Sequence, residues 1–397
     1  VRKSLFPLLL GGLGIGTTEF VMMGLLPDVA ADLRTSIPTA GRLISAYALG
    51  VVVGAPLLVM VSGNWPPKRT LLVLLALFTL FNGLSALAPS HAALLFARFL
   101  SGLPHGAFFG VGAVVAARLA DEGRQARAIA SMFAGLTIAN LVVVPLGTWI
   151  GHHHSWRYTF ALVAAIGATA FLFLRAWLPE MPAGRASDFR TELRLFRDPQ
   201  AWLVVLVTAV GTAGLFCWIS YIAPLMTRVA RFRPESVPAI MVLVGLGMVV
   251  GNLVGGPLAD RFSPARLCAW MLAAMAATLA AIAAFSGNQV ASLGLTFVAG
   301  ALSMAIAPPI QVLMMGVAKE AEMLGAATTQ SAFNVANSLG ALLGGLAIAA
   351  GFGYGSPPLV GAVMALLGVV FAVFLVRMRE RPSLDAANGA PELGTAR

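Results

Sequence analysis

The chain has 397 residues, of which 59% are hydrophobic and only 11% charged, and it carries a net charge of +10. A soluble domain has about a quarter of its residues charged, so this composition excludes an ordinary water-soluble globular fold. The apolar residues fall in blocks near or above 20 residues, the length that crosses a hydrocarbon core of about 30 Å.

Twelve such blocks are predicted, and the first covers residues 5–27. Arg2 and Lys3 precede it, and it lacks the short apolar core and cleavage site of a signal peptide, so it is expected to stay as the first membrane helix. Glu19 falls at its mid-depth. A carboxylate is expensive in hydrocarbon, which makes Glu19 the candidate carboxyl that gains and loses a proton. The alternative is a permanent ion pair with Arg98. Met23 lies one turn further on and is assigned to the substrate cavity. Asp28, after Pro27 at the outer end, is either a second proton site or an interfacial cap.

The second and third blocks cover 40–62 and 70–89, with Gly50 and Gly54 in the second and Arg69 in the loop VMVSGNWPPKR that follows it. The fourth block, 91–117, places Arg98, Gly102, His105 and Phe109 at i, i+4, i+7 and i+11, on one helical face. Lipid would reject Arg98, so that face is expected to point into the bundle. Arginine keeps its proton and can act as a fixed cation beside a titrating carboxyl, or tie the helix to neighbouring carbonyls. His105 is either a titrating group or a packing residue. The fifth block, 127–150, contains Asn140, Pro145 and Gly147. Small residues and a bend at Pro145 suit a flexing gate helix or simple close packing. Three adjacent histidines follow at 152–154. They share no helical face and have no nearby carboxylate or cysteine in the sequence, so no metal site is expected. SWRY opens the sixth block, 156–178, as an interfacial anchor.

The polar stretch 174–200 separates six blocks from six. Its segment 188–197 reads as a surface amphipathic helix or a solvated linker. The predicted organisation is a first bundle over 1–178, a linker over 179–199, a second bundle over 200–378 and a cytoplasmic tail over 379–397. The later blocks cover 200–226, 236–258, 265–285, 289–316, 321–350 and 357–377. Cys217 and Cys268 fall inside two of them, where a disulfide is not expected.

A shift of 197 residues places Gly14 on Gly211, Pro27 on Pro224, Gly50 on Gly247, Gly54 on Gly251, Asn140 on Asn337 and Gly147 on Gly344. Two repeated six-helix halves about an axis along the membrane normal are a known transporter plan. The repeat is unequal in chemistry. Phe216 stands where Glu19 stands, and no charge lies near Leu295 and Thr296, opposite Arg98. The second half offers Phe216, Trp218, Tyr221, Gln311, Gln330, Asn334 and Asn337, expected to hold substrate while the first half handles protons. The loop GGPLADRFSPAR (255–266) supplies Asp260, Arg261 and Arg266 as candidate gating charges.

With the N-terminus inside, nineteen of the 26 Lys and Arg fall in inner segments and six in outer ones, with Arg98 the remaining one. The positive-inside rule then places both termini in the cytoplasm. Anionic lipid at the inner face accounts for the positive balance, and no nucleic-acid partner is implied. No phosphate-binding GxxxxGK[ST] pattern, metal cluster or nucleophile triad is present, so no cofactor and no enzymatic role is expected.

The stretches GTTEFVMMGLLPDVAADL, RFLSGLPHGAFFGVGA, ANLVVVPLGTWIG, SWRYTF and VGLGMVVGN resemble the major facilitator superfamily. The likeness is to its twelve-helix drug:proton antiporter branch, including arabinose-efflux permeases and chloramphenicol-efflux proteins. The resemblance implies an all-α membrane fold of two pseudo-symmetric six-helix bundles that rock about a central cavity. It implies that Arg98 is the helix-four arginine linked to proton transfer. It also implies that Asp260, Arg261 and Arg266 fill the charged places of the inner-loop motif, whose first-half copy lacks the Asp–Arg pair. The expected function is proton-coupled export of small organic molecules, drug-like or sugar-like, by a monomer in a bacterial inner membrane. The alternative is a facilitator or proton-linked importer of a sugar or nucleoside.

Overall fold

A computed structural model describes residues 3–62, 65–120, 125–182, 197–318 and 322–388. Among them, twelve helices of 20 to 29 residues are long and apolar enough to cross a membrane. At 1.5 Å per residue the shortest reaches about 30 Å. They are α1 (Phe6–Asp32), α2 (Ile37–Val59), α3 (Pro67–Ala86), α4 (His91–Arg118), α5 (Ser131–His153), α6 (Trp156–Trp177), α7 (Pro199–Ile219), α8 (Pro234–Ala259), α9 (Pro264–Phe285), α10 (Gln289–Val317), α11 (Thr328–Phe352) and α12 (Ser356–Arg379). No strand occurs among the described residues.

Local sequence sets where these helices start. The Ser90 side chain accepts a hydrogen bond from the Ala93 amide at 3.3 Å ahead of α4. Asp198 and Asn288 do the same for α7 and α10. Each satisfies one amide that the first turn leaves open. Proline leads α3, α7 and α9, where its missing N–H costs nothing.

Glycine sets how closely the helices approach. A Cβ at Gly50 or Gly54 of α2 would overlap the carbonyl oxygens of Phe99 and Leu103 on α4. A Cβ at Gly247 or Gly251 of α8 would overlap those of Phe297 and Ala301 on α10. The 197-residue repeat is therefore a repeat of packing, with α2–α4 and α8–α10 as equivalent pairs. The halves also meet symmetrically. Gly245 of α8 lies 2.7 Å, measured from an added Cβ, from the Asn140 carbonyl of α5. In the equivalent α2–α11 contact, the Ser45 hydroxyl donates to the Ser338 carbonyl at 3.0 Å, and Ser338 returns a bond at 3.4 Å.

The two ends of the bundle differ. At the rim carrying Asp32 and Arg157, one apolar core joins both halves, from Met22 and Leu26 of α1 to Trp218, Ile222 and Met241 of the second half. At the opposite rim, near Lys68, each half has its own core. One is built on Leu8, Leu75 and Val115, the other on Cys268, Ile310 and Leu375. The halves thus share one core at one rim and pack separately at the other.

Several expectations need correcting. The helix that was expected to end at Pro27 runs on to Asp32 with Pro27 inside it, so Asp28 stands on the last turns of a helix and does not follow it. Helix α12 continues beyond Arg379 to Asn388, so the first part of the assigned tail is helical. Trp156 of SWRY is buried at the start of α6, and of its two aromatics only Tyr158 is exposed. The linker segment 188–196 lies outside the described residues, as do Gly63 and Asn64. The Asp260 side chain is outside them too.

Candidate functional site

The chemistry centres on α1 and α4. Glu19 is 7% exposed and Arg98 fully buried. They do not form an ion pair. The Arg98 Nη1 donates to Thr18 Oγ1 at 2.7 Å. The Thr18 hydroxyl donates onward to Asn82 Oδ1 of α3 at 2.6 Å, and Asn82 Nδ2 donates to the Phe78 carbonyl at 2.8 Å. Ring faces cover the guanidinium, with Tyr47 of α2 at 4.3 Å and Phe160 of α6 at 5.4 Å. A charge at the centre of a membrane helix costs about 3 kcal/mol on insertion scales. One hydrogen bond from a charged group returns about 1.5–3 kcal/mol, and a desolvated cation–π contact about 2 kcal/mol. These contacts are enough to keep Arg98 buried without a carboxylate. Its Nε and Nη2 have no hydrogen-bond partner among the described residues.

Glu19 turns the other way, across the boundary between the halves. Its Oε1 accepts from Asn337 Nδ2 of α11 at 3.4 Å. The Arg98 charge acts on it through space. Behind Arg98, the Tyr47 hydroxyl and His105 Nδ1 are 3.0 Å apart, and the His105 ring lies 5.3 Å from that of Phe109. Phe109 stacks on Phe133 of α5 at 4.9 Å. The helical face expected from spacing therefore lies inside the bundle, with Gly102 backed directly onto the Tyr47 carbonyl.

The other sequence-selected residues divide. Met23, Trp218 and Tyr221 are buried in the core shared by both halves, and Tyr221 donates its hydroxyl to the Ala341 carbonyl at 2.7 Å. Phe216 belongs to the same core. Asn140 and Asn334 each donate to a carbonyl of their own helix, Leu136 and Gln330, at 3.0 Å. Gln311 and Gln330 are half-buried. Pro145 follows a wide π-helical turn at Ala139–Val143, and Gly147 faces Thr159 and Val21. Arg69 lies over Trp65 at 4.7 Å, and Arg261 and Arg266 are exposed.

Asp28 is remote from this centre. Its Oδ1 lies 3.1 Å from His152 Nδ1, beside a cavity of about 230 Å³ between the halves that also meets Arg228 and Phe232. His153 uses its Nδ1 on the Trp149 carbonyl at 3.0 Å, so adjacent histidines serve different partners. At the same rim Asp32 accepts from Arg157 and, at 2.9 Å, from Trp156 Nε1.

Sequence reasoning missed Thr18, Asn82, Tyr47 and Phe160. Asn82 carried a usable signal, since a lone amide inside an apolar span needs a partner within the bundle. Thr18 adjoins Glu19. The two rings carried none, because aromatic residues are ordinary in such blocks.

Twelve spans, duplicated packing, a seam between halves and a buried acid and base near that seam define a secondary membrane transporter. The chain belongs to the Major Facilitator Superfamily, whose sequence profile matches residues 8–329 and 221–396. It is 41% identical over 388 residues to the inner membrane transport protein YdhP of Escherichia coli, covering 98% of this chain and 99% of that one. It is 33% identical to a chloramphenicol resistance protein of Streptomyces lividans, covering 83% of this chain and 85% of that one. Among solved structures, a D-xylose–proton symporter superposes with a TM-score of 0.75 at 17% identity, covering 94% and 96% of the two chains, a likeness of fold. The protein is accordingly a multi-pass inner membrane transporter of small molecules.

Proposed function

We propose that the chain is a proton-coupled exporter of small organic molecules, working as a monomer with both termini in the cytoplasm. The bundles are assigned to 1–178 and 200–378, with 179–199 as linker and 379–397 as tail. On this reading the Asp32 rim faces outward and is closed, and the Lys68 rim opens toward the cytoplasm. The shared core at one rim and the separate cores at the other support that assignment.

The observation that carries the reading is Glu19: a buried carboxyl with no ion pair among the described residues, hydrogen-bonded across the half-to-half seam to Asn337. A group there feels both the proton and the relative position of the halves. Protonation weakens the carboxylate's hold on the Asn337 amide and favours one arrangement. Loss of the proton favours the other. Such a difference between states is what couples a proton gradient to movement, since a ligand that binds both states equally shifts nothing. Arg98 acts as the fixed cation, His105 supports it through Tyr47, and Asp28 is an outer proton site. Met23, Phe109, Asn140, Phe216, Trp218, Tyr221, Gln311, Gln330, Asn334 and Asn337 contribute to the substrate path. Pro145, Gly147, Arg69, Asp260, Arg261 and Arg266 serve in gating. The relative named for chloramphenicol resistance supports export of drug-like molecules.

Inside-out vesicles with an acid lumen test the reading against a panel of antibiotics, sugars and nucleosides. Export appears as substrate accumulating in the lumen while protons leave. Glu19→Gln is expected to abolish this accumulation with normal amounts of protein in the membrane. Undiminished accumulation in that variant refutes the role of Glu19, and movement of substrate in the same direction as protons indicates the importer.

A further inference from the structure

Arg98 and Glu19 share one buried neighbourhood, yet the cation is held away from the acid. Thr18 and Asn82 account for the separation. Thr18 has a single hydroxyl proton, and the 2.6 Å contact commits it to Asn82 Oδ1. Its oxygen is then left to accept, and it accepts from Arg98 Nη1 at 2.7 Å. Asn82 in turn is fixed by its own amide to the Phe78 carbonyl of the same helix. Every donor in this chain points one way, from Arg98 through Thr18 and Asn82 to the backbone of α3. The chain lies wholly within the first half, whereas Glu19, the next residue after Thr18, bonds to Asn337 in the second half. Two Arg98 nitrogens, Nε and Nη2, are buried with no hydrogen-bond partner among the described residues. A guanidinium released from Thr18 would therefore turn to a stronger acceptor, and Glu19 is the carboxylate on which its charge already acts.

We infer that Thr18 and Asn82 are positioning residues that hold Arg98 off Glu19, so that the carboxyl stays free to exchange its proton. The inference rests on the proposed proton role of Glu19 and specifies how that role is protected. The titratable groups facing Glu19 are Arg98 of α4 and Tyr47 of α2, with His105 of α4 behind Tyr47. The second half presents the neutral Asn337. Arg98 is thus the cation whose position governs Glu19.

Loss of the clamp brings the guanidinium onto the carboxylate. An opposite charge at contact favours the ionised acid by about one pH unit or more. The test follows the protonated-carboxyl infrared band of the purified protein in liposomes across pH, with the Glu19 signal identified by its disappearance in Glu19→Gln. Thr18→Val is expected to move the Glu19 midpoint at least about one unit toward acid. Thr18→Ser keeps the hydroxyl and should retain the wild-type midpoint. Asn82→Leu leaves Thr18 in place but removes its acceptor, and should shift the midpoint the same way by less. An unchanged midpoint in Thr18→Val overturns the clamp. If that variant does not fold, an unchanged midpoint in Asn82→Leu does so instead. Failure of the proton-coupling proposal looks different: the midpoint moves as expected, while transport in every variant ignores pH.

Discussion

The two halves of this transporter are alike in packing and unlike in chemistry. Gly50 and Gly54 seat α2 on α4, and Gly247 and Gly251 seat α8 on α10, against backbone at matching positions. On the same scaffold, Glu19 is matched by Phe216, and Arg98 by Thr296, because the carbonyls that α8 meets on α10 lie 198 residues beyond those that α2 meets on α4. Asn140 and Asn337 occupy equivalent places, but Asn140 bonds its own helix and Asn337 reaches Glu19. The duplicated part is where helix backbones touch, which needs only the absence of a side chain. The unduplicated part is where a charge is tolerated, and that needs several partners at once. One half has assembled them around Arg98, while the other has a threonine whose hydroxyl has no partner among the described residues.

The shared packing is the part whose loss should be most damaging. Gly54→Leu and Gly251→Leu each push a side chain into a backbone carbonyl that cannot rotate aside. Overpacking of this kind costs about 3 kcal/mol, and both variants should lose most of their folded, monodisperse protein in detergent. Equal losses sustain the equivalence of the halves. A half that tolerates its leucine would break it.

Next in size is the chemical difference. Arg98→Gln removes the fixed cation and should lower gradient-driven transport about tenfold or more, the scale of a coupling of 1–3 kcal/mol. Thr296→Val, its counterpart, removes a hydroxyl with no hydrogen-bond partner among the described residues and should leave transport within about twofold of wild type. Transport assays on equal amounts of reconstituted protein decide the pair. Comparable defects in both would mean that proton handling is spread over the two halves.

A smaller contrast separates the two asparagines. Asn337→Ala takes away the hydrogen bond that Glu19 accepts across the seam, and transport should fall by about two- to tenfold, as for a single bond of 0.5–1.5 kcal/mol. Asn140→Ala loses only a bond within α5, and its effect on transport should be the lesser of the two. Initial rates at fixed pH gradient measure both.

Much of this contrast was legible in the sequence, for physical reasons. Spans, repeat and packing glycines depend on hydropathy and on side-chain size, which each residue carries alone. Glu19 and Arg98 stood out because charge inside an apolar block is rare. Their partners did not, since Thr18, Asn82 and Tyr47 become partners only through rotation and depth of α1, α2 and α3. An ion pair between Glu19 and Arg98 was a fair alternative from composition, and the structure replaces it with a hydroxyl, an amide and two rings. The partner of Trp156 was hidden for the same reason: Asp32, which accepts from its Nε1, sits on the end of another helix.

Asp32 provides the finest contrast. It joins the ends of α1 and α6 by accepting from both Trp156 and Arg157, and the 197-residue shift puts Val229 and Tyr354 where Asp32 and Arg157 stand. The second half therefore lacks this staple at the same rim. Both partners of the ion pair are partly exposed, with side chains 35% and 47% accessible. Pairs of this kind contribute about 0.2–1 kcal/mol. Asp32→Asn keeps an acceptor for the indole and gives up only the charge, so thermal unfolding in detergent should come about one or two degrees earlier, with transport unchanged. The deficit should shrink in high salt, where the wild-type pair is itself screened. Arg157→Met should cost more. It also removes the hydrogen bond to the Ala88 carbonyl at 3.1 Å and the contact over the Trp156 ring at 4.2 Å. A larger effect from Asp32→Asn than from Arg157→Met would show that the carboxylate serves more than this staple, and the difference between the halves at their rims would then extend to transport itself.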